Sequence, residues 1–306
     1  MANTIGWGQA AVNNTIDWGK GKTNNTIGWA TIYSSSPYGD TDIVGTPPTD
    51  TDAQAFITAA AITDATQKSA INKLVVDLKG YGIWSKMKAL YPFVGGTSST
   101  HKYNLKDPRD LDIAYRLTFN GGWVHSSTGA LPNGVNSWAD TFFSPSMYSA
   151  LTNASAGVYL RTNTALNGVD LGQGLASVAR EGVHIYPRYT GDAYYSCCLG
   201  SNFNTGVNSD SRGFFHTTRT GTSQSFRKRG ATIIDSSVTN TTTVGTTSLG
   251  TIFLGAANEF SNGKNPSIYS NREQALAYIG DYISQTEIDN YYTAVQAFQT
   301  TLSRNV

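Results

Sequence analysis

The first thirty residues repeat one motif three times. Asn3-Thr4-Ile5-Gly6-Trp7 returns as Asn14-Thr15-Ile16-Asp17-Trp18 and again as Asn25-Thr26-Ile27-Gly28-Trp29. Ile and Trp stand two apart in each copy, so an extended chain puts both on one face while the intervening Gly or Asp points away. The Gly/Asn/Lys-rich spacers read as turns. The motif therefore predicts a small ribbon of short strands with a one-sided apolar face over residues 1–34. Such a ribbon is marginal in water by itself. Its Trp face packs on the rest of the chain, on copies of itself or on another protein, and Ile5, Trp7, Ile16, Trp18, Ile27 and Trp29 are its docking or assembly residues.

Beyond the ribbon the texture changes twice. Residues 35–50, with Pro37, Gly39, Gly45, Pro47 and Pro48, read as a linker. Residues 51–98 read as a helical segment. A short helix starts near Asp52, and Thr63-Asp64 caps a second that carries Ile71, Leu74, Val75 and Leu78 at helical spacing and stops at Gly80. Ile83, Trp84, Met87 and Leu90 suggest a third, ended by Pro92.

Residues 99–306 read as mainly β. Candidate strands cover 114–120, 157–162, 183–189, 194–200, 213–220, 223–229, 231–235 and 251–256, separated by Gly, Asn, Ser and Thr. Many short strands with turn signals between them predict an antiparallel two-sheet sandwich. Ser284 and Glu287 form a capping box for a closing helix whose apolar face is Ile288, Tyr291, Tyr292, Val295, Phe298 and Leu302.

Charged residues make up only 14% of the chain, against about a quarter in ordinary globular domains. The 11% aromatic residues supply enough apolar surface for a packed core and exclude disorder. A net charge of +1 proposes neither nucleic acid nor an anionic membrane as partner. The basic run Arg227-Lys228-Arg229 reads as a solvated face or hairpin end. No basic segment followed by an apolar run marks a secretory leader, and no stretch approaches the roughly 20 apolar residues of a membrane span. Cys197 and Cys198 are adjacent and read as half-buried strand residues of a protein made in a reducing cytosol.

The segments 114–120, 138–141, 158–162, 252–256, 269–272, 276–281 and 287–304 together resemble a concanavalin A-like, laminin G-like jelly roll. With the Asn-Thr-Ile-Gly-Trp repeats and the helical preface, the whole chain resembles structural proteins of bacteriophages infecting Bacteroidota-type hosts. That resemblance implies a protein made in the bacterial cytoplasm and carried on the virion surface. Residues 1–34 would meet capsid or tail proteins, copies would form a homo-oligomer, and the sandwich would face host-surface glycans. The alternatives are a secreted or cell-surface carbohydrate-binding module and, third, a glycan hydrolase.

Chemistry-bearing motifs are sparse. A retaining glycosidase needs two carboxyl groups about 5–5.5 Å apart. The nearest string, Glu287-Ile288-Asp289, lies in the closing helix, where positions i and i+2 do not share a face. His101, His125, His184 and His216 are scattered, without metal-ligand spacing. The expectation is a protein that is not an enzyme and holds no cofactor. Asn202, Asn204, Asn208 and Asp210 form either an oxygen-ligand loop for Ca2+ or a hydrogen-bonded loop. Sugars are held by aromatic faces and fixed polar groups, so Trp123, Trp138, Tyr189, Tyr194 and Asn202 are the candidate glycan-binding residues, with filling of the sandwich core as their other role.

Overall fold

The computed structural model describes residues 49–174, 182–200, 202–241, 250–259 and 263–306. The six Ile and Trp residues of the repeats lie outside them. Of the two units into which the chain divides, Asp50–Val306 is the described one.

Local signals set its helices. Asp50 caps α1 (Thr51–Ala59) and Asp64 caps α2 (Ala65–Gly80), each accepting from a backbone N–H of the first turn. Along α2 the buried residues Ile71, Leu74, Val75 and Leu78 recur every three or four positions and make one apolar stripe. Among the described residues, the α-helices are completed by the single turn α3 (Ser98–His101) and the long closing helix α4 (Gln285–Thr301). Its capping box is formed as expected, with Ser284 Oγ accepting from Glu287 N–H and the Glu287 carboxylate accepting from Ser284 N–H.

The third expected helix is absent. Trp84–Lys86 makes one 3-10 turn and the chain then extends into β1 (Met87–Tyr91). A short apolar run fits either period. Here Met87, Ala89, Leu90 and Tyr91 are all buried, and the edge of β17 (Gln274–Gly280) supplies the partner that selects the strand.

The strands form two antiparallel sheets, as the sequence predicted. In the first, β17 pairs with β6 (Asn153–Leu160), then β11 (Gly213–Thr220), β12 (Ser223–Arg229) and β13 (Ile234–Thr239). On its other side lie β1, β4 (Gly129–Leu131) and, beyond it, β3 (Val124–Ser126). The second sheet runs β10 (Asn204–Val207), β9 (Ala193–Gly200), β8 (Gly182–Tyr186), β7 (Leu171–Gly174), β14 (Phe253–Leu254), β5 (Trp138–Asp140) and β2 (Thr118–Asn120). A short parallel strand, β15 (Ala257–Asn258), also pairs β7, and β16 (Pro266–Ser267) pairs β15.

Two apolar cores result. Between the sheets lie Val158, Leu160, Phe215, Ile279, Val183, Ile185, Leu171 and Leu254. The opposite face of the first sheet turns Tyr159, Phe214, Leu276 and Tyr278 against α1, α2 and α4. Both faces of β6, β11 and β17 are therefore covered, which is why these strands are buried almost without alternation. Gly157 makes this packing possible, because a Cβ there would stand 2.3 Å from the Tyr278 ring. Arg304, just past α4 and fully buried, donates to the carbonyls of Pro92, Phe93 and Ala275 and so ties the chain end to the first sheet.

The basic run on β12 is not a solvated face. Lys228 and Arg229 are buried; Lys228 Nζ donates to Asn208 Oδ1 at 3.0 Å and to Thr232, while Arg229 pairs with Asp235 and Asp289. Cys197 and Cys198 sit on β9 as free, fully buried thiols. Burial pushes Cys197 up to about 12. Among the described residues, no helix is long and apolar enough to cross a membrane.

Candidate functional site

Among the described residues the second sheet packs one face on the inter-sheet core and turns the other away from it, and the pleat of β8 shows the division. Val183 and Ile185 enter the inter-sheet core, whereas His184 and Tyr186, one step out of phase, line a hollow on the other side. On neighbouring β9, Tyr194 goes inward and Tyr195 outward, with Tyr195 directly across from Tyr186. Tyr189, Phe203, Asn167, Ile268 and Glu259 complete a cavity of about 280 Å³.

The rings are set at steep angles to one another. Tyr195 stands edge-on to Tyr186, with centroids 6.4 Å apart and planes at 83°, and to Tyr189 at 5.7 Å and 88°. Phe203 stacks on His184 at 6.1 Å. His184 forms a buried floor because Gly172, its partner on β7, has no side chain; a Cβ there would lie 2.5 Å from Val169 and 3.4 Å from His184 Nδ1.

A buried ion pair organises the rim. Arg272, fully buried, donates to the Asp170 carboxylate at 2.7 Å and to the carbonyls of Thr164 (3.0 Å), Leu166 (3.1 Å), Gly168 (3.2 Å) and Arg188 (2.6 Å). Burial pushes the Asp170 carboxyl up against the pull of Arg272, and Ser270 Oγ donates to it at 2.6 Å. These partners flank Asn167, Tyr189 and Ile268, so one guanidinium ties together the segments that present them.

Of the glutamates, Glu273 pairs with Arg161 and Glu287 pairs with Lys86 while capping α4. Glu259 instead lines the hollow. Among the described residues it is the charged side chain of the lining, and no Lys or Arg pairs with it there.

The five candidate glycan residues are dispersed, and Tyr194 is a core residue between the sheets, not part of the hollow. Tyr189 lines the hollow. Asn202 is exposed beside Phe203, and its side chain donates to Thr239 O at 2.8 Å. Trp138 is half-buried on β5 against Phe253 at 4.4 Å, under the Lys264 ammonium, and Trp123 packs edge-on to Phe119 at 5.3 Å. The Asn/Asp set is drawn into internal contacts. Asn204 Oδ1 accepts from Gln224, Asn208 Oδ1 from the Lys228 ammonium, and Asp210 pairs with Arg212. Among the described residues no group of three His, Cys, Asp or Glu converges as a metal site.

His184, Tyr186, Tyr195, Phe203 and Glu259 were not singled out as glycan residues from the sequence. The alternation of 183–186 was the available signal for the first two. Nothing local signalled that Glu259, more than 70 residues away, would face them.

Fold and site together define a two-sheet β-sandwich, backed by helices on one sheet and open at an aromatic-lined hollow on the other. No protein-family model and no curated protein matches the sequence. Among solved structures, the chain is similar to a Trypanosoma rangeli sialidase in complex with sialic acid, at 10% identity and a TM-score of 0.41, covering 69% of this chain and 33% of that one. It is also similar to tailspike protein 2 of the Escherichia coli O157:H7 bacteriophage CAB120 (11% identity, TM-score 0.37, 60% of this chain and 26% of that one). A third is the exoplasmic/lumenal domain of VIP36 in a Ca2+/Man2-bound form (10% identity, TM-score 0.35, 65% and 89%). The chain spans about a third of the sialidase's length.

The expectation that this protein is not an enzyme is corrected here. Sialidases recur among the similar structures, and the carboxylate-pair test applied to the sequence does not cover glycosidases with a tyrosine nucleophile. The hollow places tyrosines and a glutamate in one cavity, so the exclusion of glycan cleavage does not stand.

Proposed function

We propose that this protein is a glycan-binding β-sandwich displayed on a bacteriophage virion as a decoration, head-fibre, spike or tail-fibre subunit. The observation that carries this reading is the aromatic hollow lined by Tyr186, Tyr189, Tyr195 and Phe203 on the second sheet. The C–H faces of a pyranose stack on Tyr and Phe rings, while Asn167 and Glu259 offer polar groups that orient the ring. The Thr-Ile-x-Trp repeats support the virion placement. Three Ile–Trp pairs in residues 1–34 would seat the protein on capsid or tail proteins or join copies, and repeated weak contacts gain by multivalency.

Two measurements test this. Tyr186→Ala and Tyr195→Ala in the full chain should each lower binding to host-surface polysaccharide at least tenfold. Removal of residues 1–34 should abolish incorporation into particles while glycan binding persists. A protein that never enters particles but still binds sugars would be the secreted or surface module instead.

One observation favours a second reading, glycan hydrolysis: Glu259 shares the hollow with three tyrosines. Turnover of host polysaccharide by the full chain, lost in Glu259→Gln, would establish it. Absence of turnover with binding intact would remove it.

A further inference from the structure

We infer that the hollow selects a sugar bearing a free ammonium group, a deacetylated hexosamine, over acetylated or acidic sugars. This rests on the reading of the hollow as a glycan site and adds the chemical class of its ligand.

Tyr195 meets Tyr186 at 83° and Tyr189 at 88°, so adjacent walls stand nearly perpendicular. Ring faces carry the negative end of the aromatic quadrupole, and a cation in such a box is attracted by more than one of them. Neutral sugars need only one stacking platform; a box of rings suits a cation.

The charge pattern points the same way. Glu259 is the charged group among the described lining residues and has no cationic partner among them. A carboxylate beside aromatic rings complements an ammonium group, and partial burial strengthens the attraction relative to open water. An acidic sugar would set its own carboxylate against Glu259, a like-charge contact that disfavours the complex. An N-acetyl group removes the cation and forfeits both attractions. A cavity of about 280 Å³ suits one sugar unit more than a long oligomer.

The test is titration calorimetry on the full chain with short β-1,4-linked glucosamine oligomers, N-acetylglucosamine oligomers of equal length, and sialyllactose. The glucosamine oligomers should bind at least tenfold more tightly than either competitor, with a preference that shrinks as salt is raised. Glu259→Gln, nearly isosteric, should erase the preference for the glucosamine oligomers, because Gln keeps the shape and removes the charge. Equal affinity for all three probes, lost in Tyr195→Ala, would sink the amine preference and leave the glycan reading standing. A preference retained in Glu259→Gln would also overturn it. No binding of any probe would overturn both.

Discussion

The two sheets of this protein are built from similar residues and do opposite work. The first is covered on both faces, by the second sheet on one side and by α1, α2 and α4 on the other, so Tyr159, Phe214 and Tyr278 are packing residues. Among the described residues the second is covered on one face, and on its other face Tyr186, Tyr189 and Tyr195 become walls of a cavity. An aromatic side chain in a strand is therefore not a binding residue or a core residue by type. The layer on the far side of its sheet decides.

The sharpest way to break this contrast is at the clamp beneath the hollow. Arg272→Met leaves Asp170 buried without its counter-charge and frees four carbonyl acceptors, so unfolding free energy in urea should fall by about 3–5 kcal/mol. Glycan binding should weaken with it, since the segments bearing Asn167, Tyr189 and Ile268 lose a common tie. A loss under about 1 kcal/mol would mean that the rim holds itself.

A paired measurement separates the two faces directly. Phe214→Ala, in the helix-covered core, should cost about 3–5 kcal/mol. Tyr195→Ala, half-exposed on the outward face, should cost about 1 kcal/mol or less yet abolish sugar binding. Equal destabilisation by both would erase the distinction.

Acid probes the covered sheet through its histidines. His216 on β11 is pushed well below its ordinary 6.5 by burial and then by the charges of Arg229 and Arg227, and its Nδ1 lies 2.9 Å from the Tyr278 hydroxyl. His101, facing His125 at 3.0 Å and the charge of Arg304, is held down to about 3, chiefly by burial. His125 on β3 is lowered by burial alone. Each binds a proton more readily unfolded than folded, so the stability they contribute is full above pH 6.5 and is lost as pH falls toward 3. Denaturation curves at about pH 7.5 and about pH 4.5 should show the drop, and His216→Gln should reduce it. A flat profile would show that these rings titrate normally.

The smallest expected effect lies at the edge of the helical layer. Ser284→Ala removes the cap of α4 and should cost about 1 kcal/mol in thermal unfolding without altering the hollow.

Much of the helical layer was legible because capping is local: Asp64 before α2 and the Ser284/Glu287 pair are complete within four residues. The strands β11 and β12 were legible for a similar reason, as two strand-like runs, 213–220 and 223–229, separated by a turn at Gly221. β1 was not, because Met87–Tyr91 extends only to pair β17, almost 190 residues downstream. The hollow was less legible still. Tyr189 was singled out, but its companions come from β8, β9 and loops far apart in the chain.

The sequence by itself determined the mainly β class and the capped helices, because turn chemistry, capping and side-chain period act over a few residues. Only the tertiary structure decided that helices would cover the far face of the first sheet, and that Glu259 would line one hollow with the outward tyrosines. Those outcomes depend on which strands pair and which layer lies behind them, and long-range pairing leaves no mark in any single stretch of the chain.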